Sequence, residues 1–435
     1  MLLNLDLVGR GPIIIESTIE EEKNIINWVS YGPATDRFYQ ELWAQRDSIE
    51  ALVKHHLALN RRDMCCVLPS YHWIRGSFNV CVFVEVMLGN LARKVIFRCP
   101  MPHKLAETRY PGSIDEKLGS KVGAHVWIEE NCSEIRSPHL FGFGMMDGLH
   151  FTHTKHLAFF PRVMRLFWRF VHRSLRPPLL SHYALNPPSQ QSSPLYILWE
   201  YLGPETGEIL SDTFDMHRED KARRQRLFRG ISRIMISLAR LPQAHIGSFQ
   251  LNDSGTITLT NRPLTCSMAI LENDGAIRTM PRNNTINCTD AFPNAVNDES
   301  DCRTQMAVKT LLRVVSHNCI KRGLRNVCAL PAEKLAVPYW LTVTKMRAKA
   351  SPNISLSEIM HDMWGSKRVW FWYCLSFVNA MYFLLEPHLL PPKSLSPEAE
   401  GVLSRFWSRE SEEIIREKLA DKKAYDEELR ALFNE

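Results

Sequence analysis

Residues 74–100 read IRGSFNVCVFVEVMLGNLARKVIFRCP. They set a Gly76-Ser77-Phe78-Asn79 turn between two β-prone runs, and a third run carries Arg98 near its end. Backbone N–H groups of such a turn can cradle phosphates. A guanidinium at a strand end can hold them by charge-assisted hydrogen bonds. Both features also have ordinary uses, as a plain hairpin turn and as a surface charge. Transfer of a phosphoryl group asks for more: a positioned Asp and a metal-binding Asn five residues after it. No Asp of this chain has Asn at that spacing, and no His is followed two positions later by Asp. The chain reads as a phosphate cradle without its reacting centre.

The elements that would position these residues follow from periodicity. The run from Thr35 to Asn60 spaces Phe38, Leu42, Ile49, Leu52 and Leu57 as a helix does, with Trp43 beside them. A strand block runs from about Cys65 to Cys99. Residues 115–131 put Leu118, Val122 and Val126 on one helical face, and 138–144 read as a turn and short strand. An apolar strand at 195–202 is expected to join 65–99 in one antiparallel sheet, with 115–131 packed on it. Residues 145–193, rich in His, Arg and Pro, read as an insertion. A helix over 218–241 ends at Pro242, and 247–264 read as a β-hairpin around Asn252-Asp253-Ser254-Gly255. Helices resume at about 355–385 and 397–433, the last begun by a Ser396 cap and Pro397.

Several blocks together resemble the fungal branch of the aminoglycoside phosphotransferase and choline-kinase-like family: WVSYGPATDRFYQELW (28–43), RGSFNVCVFV (75–84), KVIFRCPMPHKLAETRYPGSIDEKL (94–118), LYILWEYLGPETG (195–207), HIGSFQLNDSGTITLTNRPLTCSMAILENDGA (245–276), CALPAEKLAVPYWLT (328–342) and SKRVWFWYCLSFVNAMYFLLEPHL (366–389). The resemblance implies an α+β, bilobal protein-kinase-like fold, with a small antiparallel-sheet lobe and a mainly helical large lobe. It divides the chain into an N-terminal helical extension at 1–60, a small lobe at 61–202 and a large lobe at 203–435. It implies ATP with magnesium as cofactors and transfer to a hydroxyl of a small molecule. Gly76, Ser77, Phe78, Asn79 and Arg98 would meet the phosphates. The backbone of Glu200, Tyr201 and Leu202 would meet adenine.

The departures from that pattern are as informative. The catalytic loop expected before Cys328 is absent, and joins near 292, 327 and 344 are shortened, so the fold is incomplete at its active centre. Loss at several joins with faithful flanks suggests a mis-spliced gene model or a decaying copy. In the helix at 115–131, Lys121 stands where the family has a Glu that pairs the basic residue of the third strand. Lys117 is one turn back. Glu116, five residues from Lys121, lies about 140° around the helix and cannot face the same partner. Arg98 is therefore expected to meet like charge. The competing reading is a non-catalytic nucleotide- or partner-binding scaffold.

Composition bounds the rest. The chain has 435 residues, 45% hydrophobic, enough to bury a large core or two lobes. A formal net charge of +6 is mild and argues against nucleic acid as a partner. Eleven irregularly placed Cys without a CxxC pair read as reduced thiols of a cytoplasmic protein. Asp6 and Arg10 interrupt the N-terminal apolar stretch, which is no secretory signal. The apolar run 369–385 falls short of the roughly 20 residues of a spanning helix and reads as a buried helix. At 159–180, Arg162, Arg165, Arg169 and Arg173 alternate with aromatic and aliphatic residues. The stretch is read as a basic solvated face over an apolar stripe packed on the body, in preference to a helix lying on a membrane.

Overall fold

The computed structural model describes residues 24–285 apart from 61, 90, 146–147, 176–178, 189–193, 218, 244, 246, 276–277 and 279. It also describes 18, 307, 310, 326–327, and 396–434 apart from 408–410. The chain divides into two compact units. One comprises Asn27–Arg240 and Gly247–Ile286, the other Met1–Ile26, Leu241–Ile246 and Asn287–Glu435. This division crosses the boundaries read from the sequence at 60 and 202. Helical residues 27–56 and the hairpin at 248–261 share a unit with the main sheet.

That sheet is antiparallel and mixed with helices in an α+β arrangement. Its strands are β1 (Met64–Val67), β2 (Ile74–Arg75), β3 (Asn79–Leu88), β4 (Leu91–Pro100), β5 (Leu140–Gly144), β6 (His150–His153), β8 (Tyr183–Leu185) and β9 (Tyr196–Glu200). A short β7 (Leu179–Leu180) lies elsewhere. The order is β1-β3-β4-β9-β5-β6-β8, with β2 paired to β3. The expectation that 75–99 and 195–202 share one antiparallel sheet is met. The segment read as an insertion continues the sheet through β6 and β8.

Period-two alternation gives the sheet two unlike faces. Val80, Val82, Val84, Val86, Val95, Phe97, Cys99 and Leu198 form one face, all buried. Two helices cover it: α1 (Ile25–Ala44) and α2 (Arg46–His56). They bring Leu42, Ile49, Leu52 and Val53, with Phe38 and Leu57 at the margin, the stripe that helical spacing selects. A small polar group enters here. His56 Nδ1 lies 2.7 Å from the Thr152 hydroxyl and Nε2 2.6 Å from the Tyr196 hydroxyl, which also meets His150 Nδ1 at 2.9 Å. Burial holds the His56 ring neutral, well below its usual range. The ring fits because residue 142 is glycine: a Cβ there would stand 2.4 Å from His56 Nδ1.

Helix α3 (Ser113–Asn131) runs over the other face. The Glu107 carboxylate accepts from the N–H groups of Gly112 (2.6 Å) and Ile114 (2.8 Å), satisfying donors at the helix start. The predicted stripe Leu118, Val122 and Val126 is buried. On its far side α3 packs on a second sheet made of β11 (Ser248–Leu251), β12 (Thr256–Asn261) and β7. Trp127 stacks on Phe249 with centroids 4.6 Å apart. The approach is so close that a Cβ at Gly123 would lie 2.8 Å from the Phe249 backbone.

An ion cluster sets the rotation of α3. Arg262, only 1% exposed, donates to Glu116 through Nε (2.6 Å) and Nη2 (3.0 Å), and to both oxygens of Glu272. Glu272 lies in α7 (Cys266–Asn273). Arg278 donates to Glu272 at 2.8 Å, and Arg282 to Glu116 at 3.3 Å. Burial pushes the Glu272 carboxyl up, but the bonds from Arg262 and Arg278 hold it below its usual range. Glu116 thus faces arginines on the side of α3 away from the main sheet.

Helix α4 (Phe159–Leu175) reverses the orientation read from its sequence. Two of its arginines, Arg165 and Arg169, turn inward, while Arg162 and Arg173 stay exposed. Arg169 forms a two-pronged pair with Glu130 at 2.6 and 2.9 Å. Arg165 donates to the carbonyls of Ser181 (3.1 Å) and Ser254 (3.1 Å). The aromatic side faces outward, with Phe159 82% and Trp168 50% exposed. The Ser181 and Ser254 carbonyls and the buried Glu130, whose other donor is the His182 N–H at 3.1 Å, outcompete apolar contact for that face. Helix α5 (Leu210–Thr213) and α6 (Lys221–Ala239) complete this unit, α6 capped by Asp220.

In the other unit, β10 (Pro242–Gln243) pairs with β13 (Asn326–Val327), and α8 (Pro397–Trp407) precedes α9 (Ser411–Asn434). The Ser396 hydroxyl accepts from the Ala399 N–H at 3.3 Å, the expected cap. Among the described residues no helix is long and apolar enough to cross a membrane. The run at 369–385, and the junctions near 292, 327 and 344 apart from 326–327, lie outside the described residues.

Two substitutions test the packing of α3. Glu116→Ala leaves Arg262 buried and short of a partner, and is expected to cost about 3–5 kcal/mol in urea unfolding. Gly123→Ala improves helix propensity by roughly 1 kcal/mol, yet it must push α3 off β11. A net loss of about 1–3 kcal/mol is expected. A neutral or stabilising result at Gly123 would contradict the close approach.

Candidate anion site between the sheet and helix α3

The second face of the main sheet is built from alternate residues. Cys81 and Phe83 of β3 oppose Arg98 and Ile96 of β4, which oppose Ile197 and Trp199 of β9. Helix α3 presents Lys117, Lys121 and His125 to this face at spacings of four, one stripe of a helix. Lys117 Nζ sits 3.9 Å from the Phe78 ring centroid. Lys121 Nζ sits 5.8 Å from the Trp199 ring, and His125 meets the same indole edge-on at 4.5 Å. Arg98 Nε is buried and has no hydrogen-bond partner.

The electrostatics of this patch are one-sided. Burial first, then Arg98, push Lys121 down from its ordinary 10.5 to about 8. Lys117 is also lowered, by burial and by Arg98, against a pull upward from the Cys266 thiol. Lys121 is pushed down by Arg98 and Lys117, and Lys117 by Arg98; the groups that pull the other way are the thiols of Cys81 and Cys266 rather than carboxylates. His125 is pushed to about 4 by burial, with His139 and Lys121 adding to it, so it is neutral at pH 7. Three cations converge with a buried donor left over. An anion is the kind of group that would complete such an arrangement.

The structure places the sequence-derived residues as follows. The turn Gly76-Ser77-Phe78-Asn79 stands at the Arg98 end of the face, joined to it through Phe78 and Lys117. The Gly76 N–H is already spent on the Asn79 carbonyl (2.8 Å), and the Phe78 carbonyl accepts from the Met101 N–H (2.9 Å). The Gly76 amide is therefore not free for a phosphate, and the positive charge of this face comes from side chains. Arg98 lies at the centre of the patch. Glu200 is engaged elsewhere: it pairs with Arg93 at 3.2 Å and accepts from the His139 N–H at 3.1 Å. Tyr201 meets Phe83 edge-on at 5.6 Å, on the same face as Arg98, and Leu202 is exposed. Arg98 and the Glu200 partner Val95 are three strand residues apart, about 10 Å. Trp199, His125 and Cys266 were not singled out by sequence. The fourfold spacing of Lys117, Lys121 and His125 is the signal that could have found His125.

No family model, no curated protein and no solved structure matches this chain.

The Lys121 shift has a stability consequence of definite sign. Its folded pKa, about 8, lies below its ordinary 10.5. Between those values the unfolded chain binds more protons, so this group's penalty is full below pH 8 and fades as pH rises to 10.5. Lys121→Met should be more stable than the natural chain at pH 7, with the gap narrowing toward pH 10. Chemical unfolding of both chains across that range measures it. A gap that does not change with pH would show that Lys121 is not the titrating group.

Proposed function

We propose that this chain is an aminoglycoside-phosphotransferase-like protein that binds the phosphates of a nucleotide such as ATP without transferring them. The observation that carries the reading is the convergence of Arg98, Lys117 and Lys121 beside a buried, unpartnered Arg98 Nε. The order of elements supports it: a Gly-containing turn, two strands with a basic residue on the second, a helix, and a later strand joining the same sheet. That is the layout the sequence resemblance implies for a protein-kinase-like small lobe. The finer reading of a bilobal kinase-like fold belongs to this proposal.

Catalysis by such a fold rests on positioning and on charge neutralisation by metal ions. Magnesium takes oxygen ligands, and the patch offers cations and thiols. The residues fit a polyphosphate and do not fit a magnesium ion. Lys121 has taken the place at which the family pattern has a carboxylate, which converts an ion pair with Arg98 into a wider positive field. The second reading is an active ATP-dependent phosphotransferase acting on a small hydroxylated molecule. It requires the catalytic segment that the pattern expects before Cys328.

Calorimetry of the purified chain with ATP, ADP and inorganic triphosphate is expected to show saturable binding that added magnesium does not strengthen. Arg98→Met and Lys121→Met should each weaken it tenfold or more while the far-ultraviolet circular dichroism stays unchanged. No ADP should accumulate with magnesium and a panel of hydroxylated small molecules. Turnover above background that is lost in Arg98→Met would establish the enzymatic reading. Unaltered ATP affinity in both variants would remove the binding reading.

A further inference from the structure

At the C-terminal end of α3, away from Arg98, a second group of side chains converges. Glu129 comes from the last turns of α3, His139 from the residue before β5, and His153 from the end of β6. Each offers one ligand atom, and the three atoms lie within 4.8 Å of one another. His153 Nε2 stands 3.8 Å from Glu129 Oε1. The rings of His139 and His153 meet at 70° with centroids 4.7 Å apart, so their lone pairs are not stacked in parallel.

We infer that Glu129, His139 and His153 form a binding site for a divalent transition-metal ion, zinc above all. Two imidazole nitrogens and one carboxylate oxygen are a three-ligand set that suits Zn²⁺ and leaves one position open. Magnesium and calcium take all-oxygen sets. A tetrahedral ion with bonds of about 2.0–2.1 Å needs its ligand atoms about 3.3–3.4 Å apart. The three atoms must close by at most about 1.5 Å.

Three features beyond proximity support the site. Both rings are held neutral, the form that ligates: burial and then neighbouring imidazoles push His139 to about 4 and His153 to about 2. The other Glu129 oxygen already has an orienting partner. The Tyr183 hydroxyl lies 3.0 Å from Oε2 and 3.1 Å from the Leu140 carbonyl, the kind of outer contact that fixes a ligating carboxylate. The site is also reachable, because the Glu129 side chain is 27% exposed while that of His153 is 3% exposed.

The neighbouring His182 is not a ligand. Arg169 Nη2 lies 2.9 Å from its Nε2, and this guanidinium can only donate. Binding has one internal cost. His153 Nδ1 accepts from the Lys155 N–H at 3.1 Å, so the free ring carries its proton on Nε2. Metal at Nε2 moves that proton to Nδ1 and opens the Lys155 bond. No net proton is released and no electron moves. Lys155 and Arg93 add positive charge nearby, so affinity rests on the three ligands themselves.

The test uses the full chain, stripped with a chelator and titrated with Zn²⁺ against a chromophoric competitor, then with Co²⁺ by visible absorption. One equivalent should bind, with the d–d bands of a tetrahedral nitrogen–oxygen site. Glu129→Gln and His139→Gln should each weaken Zn²⁺ binding at least a hundredfold. Tyr183→Phe should weaken it about tenfold, the lower end of what such outer contacts are worth, and His182→Gln should leave it unchanged. Zn²⁺ should raise the melting temperature of the natural chain and not that of Glu129→Gln. The melting shift and the Co²⁺ spectrum of the natural chain test the site even if a variant fails to fold. Absence of stoichiometric binding, a cobalt–thiolate charge-transfer band, or full affinity in Glu129→Gln would overturn the assignment.

Discussion

The buried contact between Arg262 and Glu116 governs the rest of the site. A fully enclosed guanidinium must find carboxylates, and Arg262 takes one from α3 and one from α7. That choice fixes which side of α3 faces the hairpin sheet. Once Glu116 is committed there, Lys117 and Lys121 have only the main sheet to face. Arg98 is already on that surface, set by the alternation along β4. Crowding of like charge is therefore a consequence of an ion pair made on the opposite side of the same helix. The Gly123 contact with β11 removes the remaining freedom, because the helix cannot lift away to relieve the repulsion.

Much of this was legible in the residues. Alternation along 79–88 and 91–100 assigned one face to the core, and the stripes Leu42–Ile49–Leu52 and Leu118–Val122–Val126 named the helical sides that pack. The angular separation of Glu116 from Lys121 follows from helix geometry alone, and the structure places them on opposite sides. What the sequence lacked was partners. Nothing local says that Arg262 would reach Glu116, since they are 146 positions apart. The orientation of α4 was misread for the same reason. A stripe of arginines beside aromatics is symmetric in sequence, and only the carbonyls of Ser181 and Ser254 and the carboxylate of Glu130 decide which side turns inward. The imidazole group was visible only as a density of His in the stretch after Gly144. His139 lies outside that stretch and meets it through the pairing of β5 with β6.

The two faces of the main sheet show how one architecture supports unlike tasks. The face under α1 and α2 is mostly apolar, and the polar group that enters it, His56 with Tyr196 and Thr152, is satisfied within itself. The face under α3 is half-buried and keeps polar atoms unspent. A folded chain rarely leaves a buried donor such as Arg98 Nε without a partner. It does so at the cost of stability, and a bound group is the natural way to recover that loss.

A lysine whose proton affinity has been lowered by its neighbours also stores a capacity. An anion seated beside Lys121 reverses the local potential and draws its pKa back up from about 8. Near and above that pH, ligand capture is then accompanied by uptake of protons from the buffer. The heat released on binding will depend on the ionisation enthalpy of the buffer chosen, and affinity will fall as the medium is made more alkaline. Under the proposed phosphate binding, the patch would take up phosphate and hydrogen ions together, with acidity as its second ligand.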